Sequence, residues 1–276
     1  MKKSMLLVND MPGVGKVALA AMVPVLNYLG MKTYSLPTAL ISNTFNYGNF
    51  EILNTTKYMK HTLEVYEALG FTYDCICTGY MFSKEQMDLI YDLCREKQQK
   101  GTFIMVDPIM ADGGKLYNGI SKEYVEQMKK LCTIADLLVP NVTEASFLTD
   151  LYLGNQELTN DQVKELMMKL YEMSSSSVVI TSVCTEGETA VWGYDKHHKE
   201  FFTVPYTLIH GRFPGTGDLF SSILIGRLLT GCSLKESVKN AVTRVEILIN
   251  RYQNSMNEYN GIPIEQCLDI LDDIPS

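Results

Sequence analysis

Residues 213–220 read FPGTGDLF and combine a glycine-rich turn with the start of a helical pattern. Apolar residues then repeat at helical spacing, as at Phe220, Ile223 and Leu224. A turn that leads into a helix in this way presents free backbone N–H groups and the positive end of the helix dipole, which together bind anions. We therefore predict a helix over 217–230 with an anion site at its first turn.

Asp218 places a carboxylate inside this predicted anion site. A carboxylate there repels a phosphate group, so its presence suggests a chemical task. The obvious task is to accept a proton from a hydroxyl group that attacks phosphorus. A second interpretation stays open, because the helix dipole alone also favours acidic residues at helix starts.

The size and composition of the chain indicate one large globular domain. Its 276 residues are 46% hydrophobic and 20% charged, which is enough to bury a sizeable core. We expect a single domain over residues 1–276. The formal net charge of −8 argues against nucleic acid and acidic membranes as partners, because neither attracts a negative protein. A phosphate site must therefore be built locally, from backbone N–H groups, a metal or a few basic side chains.

The cysteines indicate a reducing compartment. There are seven, scattered without a C-x-x-C pair. Cys75 and Cys77 stand two apart in a predicted strand, so their side chains face one side and are poorly placed to form a disulfide. No apolar run is long enough to span a membrane. We expect a soluble, cytoplasmic protein.

Short apolar runs alternate with amphipathic segments along the chain. The predicted strands are 5–9, 32–36, 75–79, 102–107, 137–139 and 178–182. The predicted helices are 15–29, 57–69, 84–99, 121–132, 143–151, 160–173, 217–230, 234–254 and 264–272. Capping boxes of Ser83 with Gln86, Thr159 with Gln162, and Ser233 with Glu236 mark three of these helix starts. This order predicts an α/β fold with a mostly parallel central sheet and helices on both faces. Segments 189–192 and 201–204 are typical of an antiparallel hairpin at the edge of the sheet.

Polar residues, together with glycine and proline, collect where the predicted strands end. They are Asn9, Asp10, Thr78, Gly79, Tyr80, Asp107, Pro108, Pro140, Asn141, Thr181 and Ser182. In open parallel sheets, ligands bind beyond the carboxyl ends of the strands. A series of such ends together with the glycine-rich turn predicts an enzyme.

Three of the motifs need to be weighed against simpler interpretations. Asp107 begins an acidic loop, which suits either turn formation or a place near Mg²⁺ and phosphate. Asn141 and Glu144 have the spacing of a helix capping box, and a carboxylate held there could also orient a metal-bound water. Residues 11–16 imitate a Walker A loop but lack its first glycine and its Ser or Thr, so we do not expect a P-loop.

Three segments in this order resemble the ribokinase-like small-molecule kinases. They read DPIMADGGKLY at 107–117, PNVTEA at 140–145 and GTGD at 215–218. Within that superfamily the chain is similar to the pyridoxal/pyridoxamine/pyridoxine (vitamin B6) kinases, through LPTALISN at 36–43 and TGY at 78–80. The resemblance covers nearly the whole chain.

This resemblance implies an ATP-dependent kinase that phosphorylates the 5′-hydroxymethyl group of pyridoxal, pyridoxamine or pyridoxine. It also implies Mg²⁺ and a monovalent cation such as K⁺, and we expect a homodimer. Asp218 corresponds to the catalytic base. The other implied residues are Gly215, Thr216 and Gly217 in the anion hole, Asp107, Asn141, Glu144, Thr181 and Ser182 around the nucleotide and Mg²⁺, and Asn9, Asp10, Asn43, Tyr47 and Tyr80 around the pyridine ring. Asp107 and Glu144 are the metal carboxylates of this set, acting through water.

Two other functions stay open. A hydroxymethylpyrimidine (phosphate) kinase of thiamine synthesis has the same fold, although Tyr47 and Tyr80 weigh against it. A non-catalytic nucleotide-binding regulator is the more remote alternative, because Asp218 and its glycine-rich setting are intact. The absence of G-x-G-x-x-G after the first predicted strand weighs against a third alternative, an unrelated Rossmann dehydrogenase.

Overall fold

Strands and helices alternate along the chain in the computed structural model, which describes residues 2–155, 157–209, 211, 213–254, 259 and 261–272. The strands are β1 (Ser4–Pro12), β2 (Lys32–Ile41), β3 (Ile52–Asn54), β4 (Cys75–Thr78), β5 (Phe103–Val106), β6 (Ala111–Asp112), β7 (Lys115–Leu116), β8 (Leu137–Leu138), β9 (Ser177–Thr185), β10 (Glu188–Asp195) and β11 (Glu200–Pro205). The α-helices are α1 (Ala18–Tyr28), α2 (Thr56–Ala68), α3 (Lys84–Gln98), α4 (Lys122–Cys132), α5 (Val142–Thr149), α6 (Asn160–Ser174), α7 (Thr216–Leu229) and α8 (Leu234–Tyr252).

The chain divides into two compact units. The first unit comprises residues 1–74 and 207–276, and the second comprises residues 75–206. The single domain expected over residues 1–276 stays a prediction. Among the described residues, no helix is both long enough and apolar enough to cross a lipid bilayer.

In the first unit, β1 pairs in parallel with β2, and β2 pairs antiparallel with the short β3. Helix α1 packs on β1 and α7, and α7 packs on α8. The run from Met5 to Val8 in β1 is completely buried, which explains why this strand reads as continuously apolar. The core of this unit therefore lies around β1, directly before the predicted polar residues Asn9 and Asp10.

In the second unit, β4, β5, β8 and β9 form consecutive parallel pairs, and β10 and β11 follow as antiparallel neighbours of β9. Helix α3 packs on β5 and α4, and α6 packs on β9 and β10. The predicted α/β class, with a mostly parallel sheet and an antiparallel edge hairpin, is confirmed. The hairpin strands are longer than the predicted segments 189–192 and 201–204.

The predicted strand ends need correction in two places. β1 continues to Pro12 because Met11 and Pro12 still pair with β2, so Asn9 and Asp10 lie within the strand rather than after it. β9 continues to Thr185, so Thr181 and Ser182 lie in its interior. In both strands the register shifts beside these polar residues, which is the mark of a β-bulge. A bulge keeps a strand paired while it redirects the side chains, and sequence alternation does not reveal it.

Two helix predictions are also wrong at their ends. The helix expected over 264–272 is two short 3₁₀ helices, Ile264–Gln266 and Leu268–Leu271, because Cys267 between them has a non-helical φ of −132°. The helix expected from residue 15 begins only at Ala18, since Gly15 has a φ of +100° and Val17 is extended.

Capping chemistry fixes several helix starts as the sequence predicts. The reciprocal capping boxes of Asn141 with Glu144, Thr159 with Gln162, and Ser233 with Glu236 are complete. At α3 only half of the box forms: Ser83 accepts from the N–H of Gln86, whose own side chain accepts from the N–H of Phe82 instead.

Candidate functional site

Asp218 lies in the first turn of α7, and the N–H of Ala18 donates a hydrogen bond to its carboxylate. Ala18 is the first residue of α1 and has a φ of +48°, in the left-handed region that non-glycine residues rarely adopt. Strain of this kind persists where the surrounding structure holds it, and it clusters at functional sites. Burial raises the pKa of Asp218 from 3.8 to about 6, against the effect of the hydrogen bonds from backbone N–H groups. The acid is therefore ionised at neutral pH and still basic enough to take a proton.

Asp10 is a second acid in the same unit. It is buried in β1, opposite the bulge that Thr38 and Ala39 make in β2, where the register shifts between Asn9 and Met11. Burial raises its pKa from 3.8 to about 7, and the charge of Asp218 adds to this increase. The two carboxyl groups therefore interact, and Asp218 loses its proton first.

Gly215 allows the turn before α7 to touch the turn before α1. Its φ is +92°, and a Cβ added there would lie 2.2 Å from the carbonyl oxygen of Lys16. Gly261 approaches the same segment: a Cβ added there would lie 3.0 Å from that oxygen and 3.1 Å from the oxygen of Pro214. Lys16 and Gly261 pair as a β-bridge, and the N–H of Ile262 donates to Pro214. Three chain segments thus approach one another closely through backbone atoms.

Gly217 differs from Gly215, because a Cβ added to it meets no atom within 4 Å. It belongs to the first turn of α7, where backbone N–H groups have no carbonyl partner within the helix. The hydroxyl of Thr216 donates to the carbonyl of Phe213 and so closes the turn. The predicted anion hole thus has open space beside Gly217, whereas the N–H of Thr216, like its hydroxyl, already donates to the carbonyl of Phe213.

Glu144 organises the predicted nucleotide side in the second unit. Its Oε2 accepts from the N–H of Asn141 at 2.9 Å, and its Oε1 accepts from the N–H groups of Met110 at 3.1 Å and Ala111 at 3.5 Å. The amide of Asn141 donates to the carbonyl of Ala111 at 2.8 Å. Both interpretations of this segment are therefore compatible, because the capping residues of α5 also hold the acidic loop that begins at Asp107.

Asp107 follows β5, and its charge reaches Glu144. Burial, with the charge of Asp107, raises the pKa of Glu144 well above its ordinary value, although three backbone N–H donors oppose this. The same two carboxylates add to the effect of burial in raising the pKa of the Cys132 thiol. Two neighbouring carboxyl groups fit a divalent cation of the Mg²⁺ type, which takes one or two carboxylates and completes its shell with water and phosphate. The described residues contain no group of three or more acidic, His or Cys side chains that would form a complete metal cage.

Thr181 lies beside Asn141, with which it forms a parallel β-bridge, and its N–H donates to the carbonyl of Pro140 at 3.0 Å. The next residue, Ser182, is exposed and has a φ of +57° at the bulge in β9. Thr181 thus lies against the segment of Asn141 through a bulge in β9 rather than at a strand end, and Ser182 is the exposed residue of that bulge. The nucleotide-binding role of both residues stays a prediction.

The residues predicted to surround a ring lie in both units. Asn9 is buried and its amide donates to the sulfur of Met22 at 3.6 Å, so it contributes to the core as well. Asn43 holds its own loop by donating to the carbonyl of Asn49 at 3.0 Å. Tyr47 is exposed and packs on Tyr259, with ring centres 4.9 Å apart. Tyr80, in the second unit, is partly buried two residues after β4.

Three residues that shape the candidate site were not predicted from the sequence. Ala18 and Gly261 act through backbone, and Thr143 accepts a hydrogen bond from the N–H of Gly114 at 3.0 Å and so holds the acidic loop. Only Gly261 carried a signal, since glycine marks places where backbone approaches closely. The paired histidines 197 and 198 lie in an exposed turn, where His198 contacts Asp195 at 2.7 Å.

A comparison with known proteins identifies relatives along almost the whole chain. A family model described as phosphomethylpyrimidine kinase matches residues 21–263. A crystal structure from Bacteroides thetaiotaomicron, assigned as a phosphomethylpyrimidine kinase and containing pyridoxal, is 31% identical. It has a TM-score of 0.92 and covers 99% of this chain and 96% of its own. The ribokinase-like fold that the resemblance implied is confirmed.

Named relatives include vitamin B6 kinases. Pyridoxal kinase of Arabidopsis thaliana is 27% identical over 257 residues, 89% of this chain and 81% of the relative. A Schizosaccharomyces pombe protein assigned as a pyridoxal kinase is 28% identical over 202 residues, 70% of this chain. The chain spans only 58% of the length of that relative.

The two glycines of the α7 turn predict opposite effects of the same substitution. Gly215→Ala should lower the midpoint of thermal unfolding, because the left-handed φ and the contact with Lys16 both oppose a methyl group. Gly217→Ala is the matched control and should not lower it, since the site is open and alanine favours helix by up to about 1 kcal/mol over glycine. Calorimetry of both variants measures this. Equal losses would show that the Gly215 contact does not constrain the turn.

Proposed function

Because the chain belongs to the phosphomethylpyrimidine kinase family, we propose that it is an ATP-dependent kinase that phosphorylates the 5′-hydroxymethyl group of a vitamin B6 vitamer. The observation that carries the chemistry is Asp218, an acid with a pKa of about 6 at the first turn of α7. The products are pyridoxal 5′-phosphate and its pyridoxamine and pyridoxine counterparts. The pyridoxal kinase relatives support the choice of acceptor.

Asp218 acts as the general base. Its carboxylate accepts the proton of the 5′-hydroxyl as the oxygen attacks the γ-phosphorus of ATP, and ADP leaves with the electron pair of the broken P–O bond. The N–H of Ala18 holds the carboxylate in place without supplying a charge. Gly215, Thr216 and Gly217 form the anion hole. Backbone N–H groups of this turn stabilise the negative charge on the phosphoryl group in transit, and the open space beside Gly217 makes its N–H the best placed of them, since the N–H of Thr216 donates to Phe213.

Asp107, Asn141, Glu144, Thr181 and Ser182 serve the nucleotide. When Mg²⁺ is bound, it neutralises charge on the phosphates of ATP. Asp107 and Glu144 would hold it through water, which agrees with the backbone N–H groups that already bind both oxygens of Glu144. A monovalent cation such as K⁺, a homodimer and a cytoplasmic location are parts of the same proposal.

A second candidate is hydroxymethylpyrimidine or phosphomethylpyrimidine kinase activity, which the description of the family favours. A screen of ATP consumption with pyridoxal, pyridoxamine, pyridoxine and hydroxymethylpyrimidine tests both. We expect turnover with a B6 vitamer at least tenfold faster than with the pyrimidine. Turnover of the pyrimidine alone would establish the second candidate, and ATP binding without any turnover would indicate a regulator.

Asp218→Asn should lower kcat by at least ~10²-fold, within the usual range for loss of a general base, while the Kd for ATP changes little. Steady-state kinetics and calorimetric titration with ATP measure the two quantities. Circular dichroism checks that the variant is folded. Turnover within a few-fold of the wild type would remove Asp218 from the role of base.

Activity should disappear with EDTA and return with Mg²⁺. Glu144→Gln should raise the Mg²⁺ concentration for half-maximal activity by about tenfold, in the range seen for residues that support a metal. It should also lower thermal stability, because an amide cannot accept all three hydrogen bonds.

The matched control for this variant is Glu236→Gln, which changes the same capping position in α8, in the first unit. It should affect stability alone. If Glu144→Gln likewise leaves the Mg²⁺ dependence unchanged, then the role of Glu144 is limited to the fold.

Tyr80→Ala should raise the KM for the vitamer by roughly tenfold, about 1.4 kcal/mol, with little change in the KM for ATP. A pyridine ring is flat and aromatic, and an aromatic side chain gives it a matching surface. Tyr80→Phe is the control and should retain most of the affinity. An equal increase in both KM values would place the acceptor elsewhere.

A further inference from the structure

Asp10 places a second buried carboxyl group in reach of the charge of Asp218. Only 9% of its surface is exposed. Within the described part of the chain, no Lys, Arg or His forms an ion pair with Asp10. Lys16, the nearest basic residue along the chain, is paired with Glu265. A charge on Asp10 therefore has no basic partner in the first unit.

The elements described around Asp10 likewise offer its carboxylate no basic partner. α7 contributes Asp218, which is negative. β2 faces Asp10 with Thr38 and Ala39, which are uncharged at neutral pH. In the turn before α1, the charge of Lys16 is balanced by Glu265. Asp10 and Asp218, whose charges interact, therefore carry uncompensated negative charge once both ionise.

Uncompensated buried charge is costly, and a bound cation relieves it. An acceptor whose hydroxyl group gives its proton to Asp218 must lie against that carboxylate. Since Asp10 and Asp218 interact, the same acceptor lies within the field of Asp10. The negative charges of Asp10 and Asp218 thus favour an acceptor that carries a positive charge.

We propose that Asp10 is a specificity-determining residue, which favours acceptors that carry an ammonium group over neutral acceptors of the same shape. The inference rests on the proposed function, because it takes Asp218 as the base. Pyridoxamine and pyridoxine form the matched pair, since they differ by an ammonium group in place of a hydroxyl group. An aliphatic amine stays protonated between pH 6 and 8, and the comparison of the wild type with Asp10→Asn assigns a change of preference in that range to Asp10.

The experiment compares kcat/KM for pyridoxamine and pyridoxine at pH 6 and pH 8. Asp10 is mostly protonated at pH 6 and mostly ionised at pH 8, because its pKa is about 7. In the wild type, the preference for pyridoxamine should rise by about tenfold over this range. In Asp10→Asn, which keeps the size and the acceptor oxygen, the ratio should be independent of pH and no higher than that of the wild type at pH 6.

Glu51→Gln is the control for net charge, because it removes an exposed acid from the same unit. It should behave like the wild type. Calorimetric titration of both compounds in the presence of a non-hydrolysable ATP analogue gives the same comparison without turnover. A wild-type ratio that does not change with pH, or an unaltered change in Asp10→Asn, overturns the inference while the kinase proposal stands. If the wild type phosphorylates neither compound, but binds pyridoxamine in preference to pyridoxine and loses this preference in Asp10→Asn, only the kinase proposal fails. If the wild type neither phosphorylates nor binds the two compounds, the kinase proposal and the inference about Asp10 are both overturned.

Discussion

The candidate site of the first unit depends on the contact between the turns that precede α1 and α7. The carbonyl of Lys16 occupies the space that any side chain at position 215 would need, and the N–H of Ala18 reaches the carboxylate of Asp218. These interactions use backbone atoms, so they fix the place of the acid without placing a positive charge beside it. A basic side chain in that position would lower the pKa of Asp218 and weaken it as a base. The strained φ of Ala18 accompanies this arrangement.

In the second unit, hydrogen bonds within the protein hold the acidic loop that begins at Asp107. The carboxylate of Glu144 accepts hydrogen bonds from N–H groups at the start of α5 and in the loop itself, and the hydroxyl of Thr143 accepts one from the N–H of Gly114. The loop is thereby tied to a helix start by hydrogen bonds that do not depend on a metal. The carboxylate of Glu144 is thereby held in a fixed place.

The sequence predicts the fold well where its signals are local. Periodicity located the helices, and the capping boxes of Asn141, Thr159 and Ser233 marked helix starts because both partners lie within one turn. It failed where the cause is tertiary. The bulges beside Asp10 and Ser182 depend on pairing with another strand. Asp218 was identifiable because its glycine-rich setting is contiguous, whereas the influence of Asp218 on Asp10 joins residues far apart in the chain.

The raised pKa values of Asp10 and Asp218 make folding a proton-uptake reaction. In the unfolded chain both acids release their protons near pH 4, whereas in the folded chain Asp218 keeps its proton to about pH 6 and Asp10 to about pH 7. The folded state therefore binds more protons in this window, and the contribution of these two groups to stability decreases as the pH rises through it. Below pH 4 both states are protonated and the penalty is absent. The ionised form of Asp218 that catalysis requires is thus present only at a pH where the free energy of unfolding is already reduced.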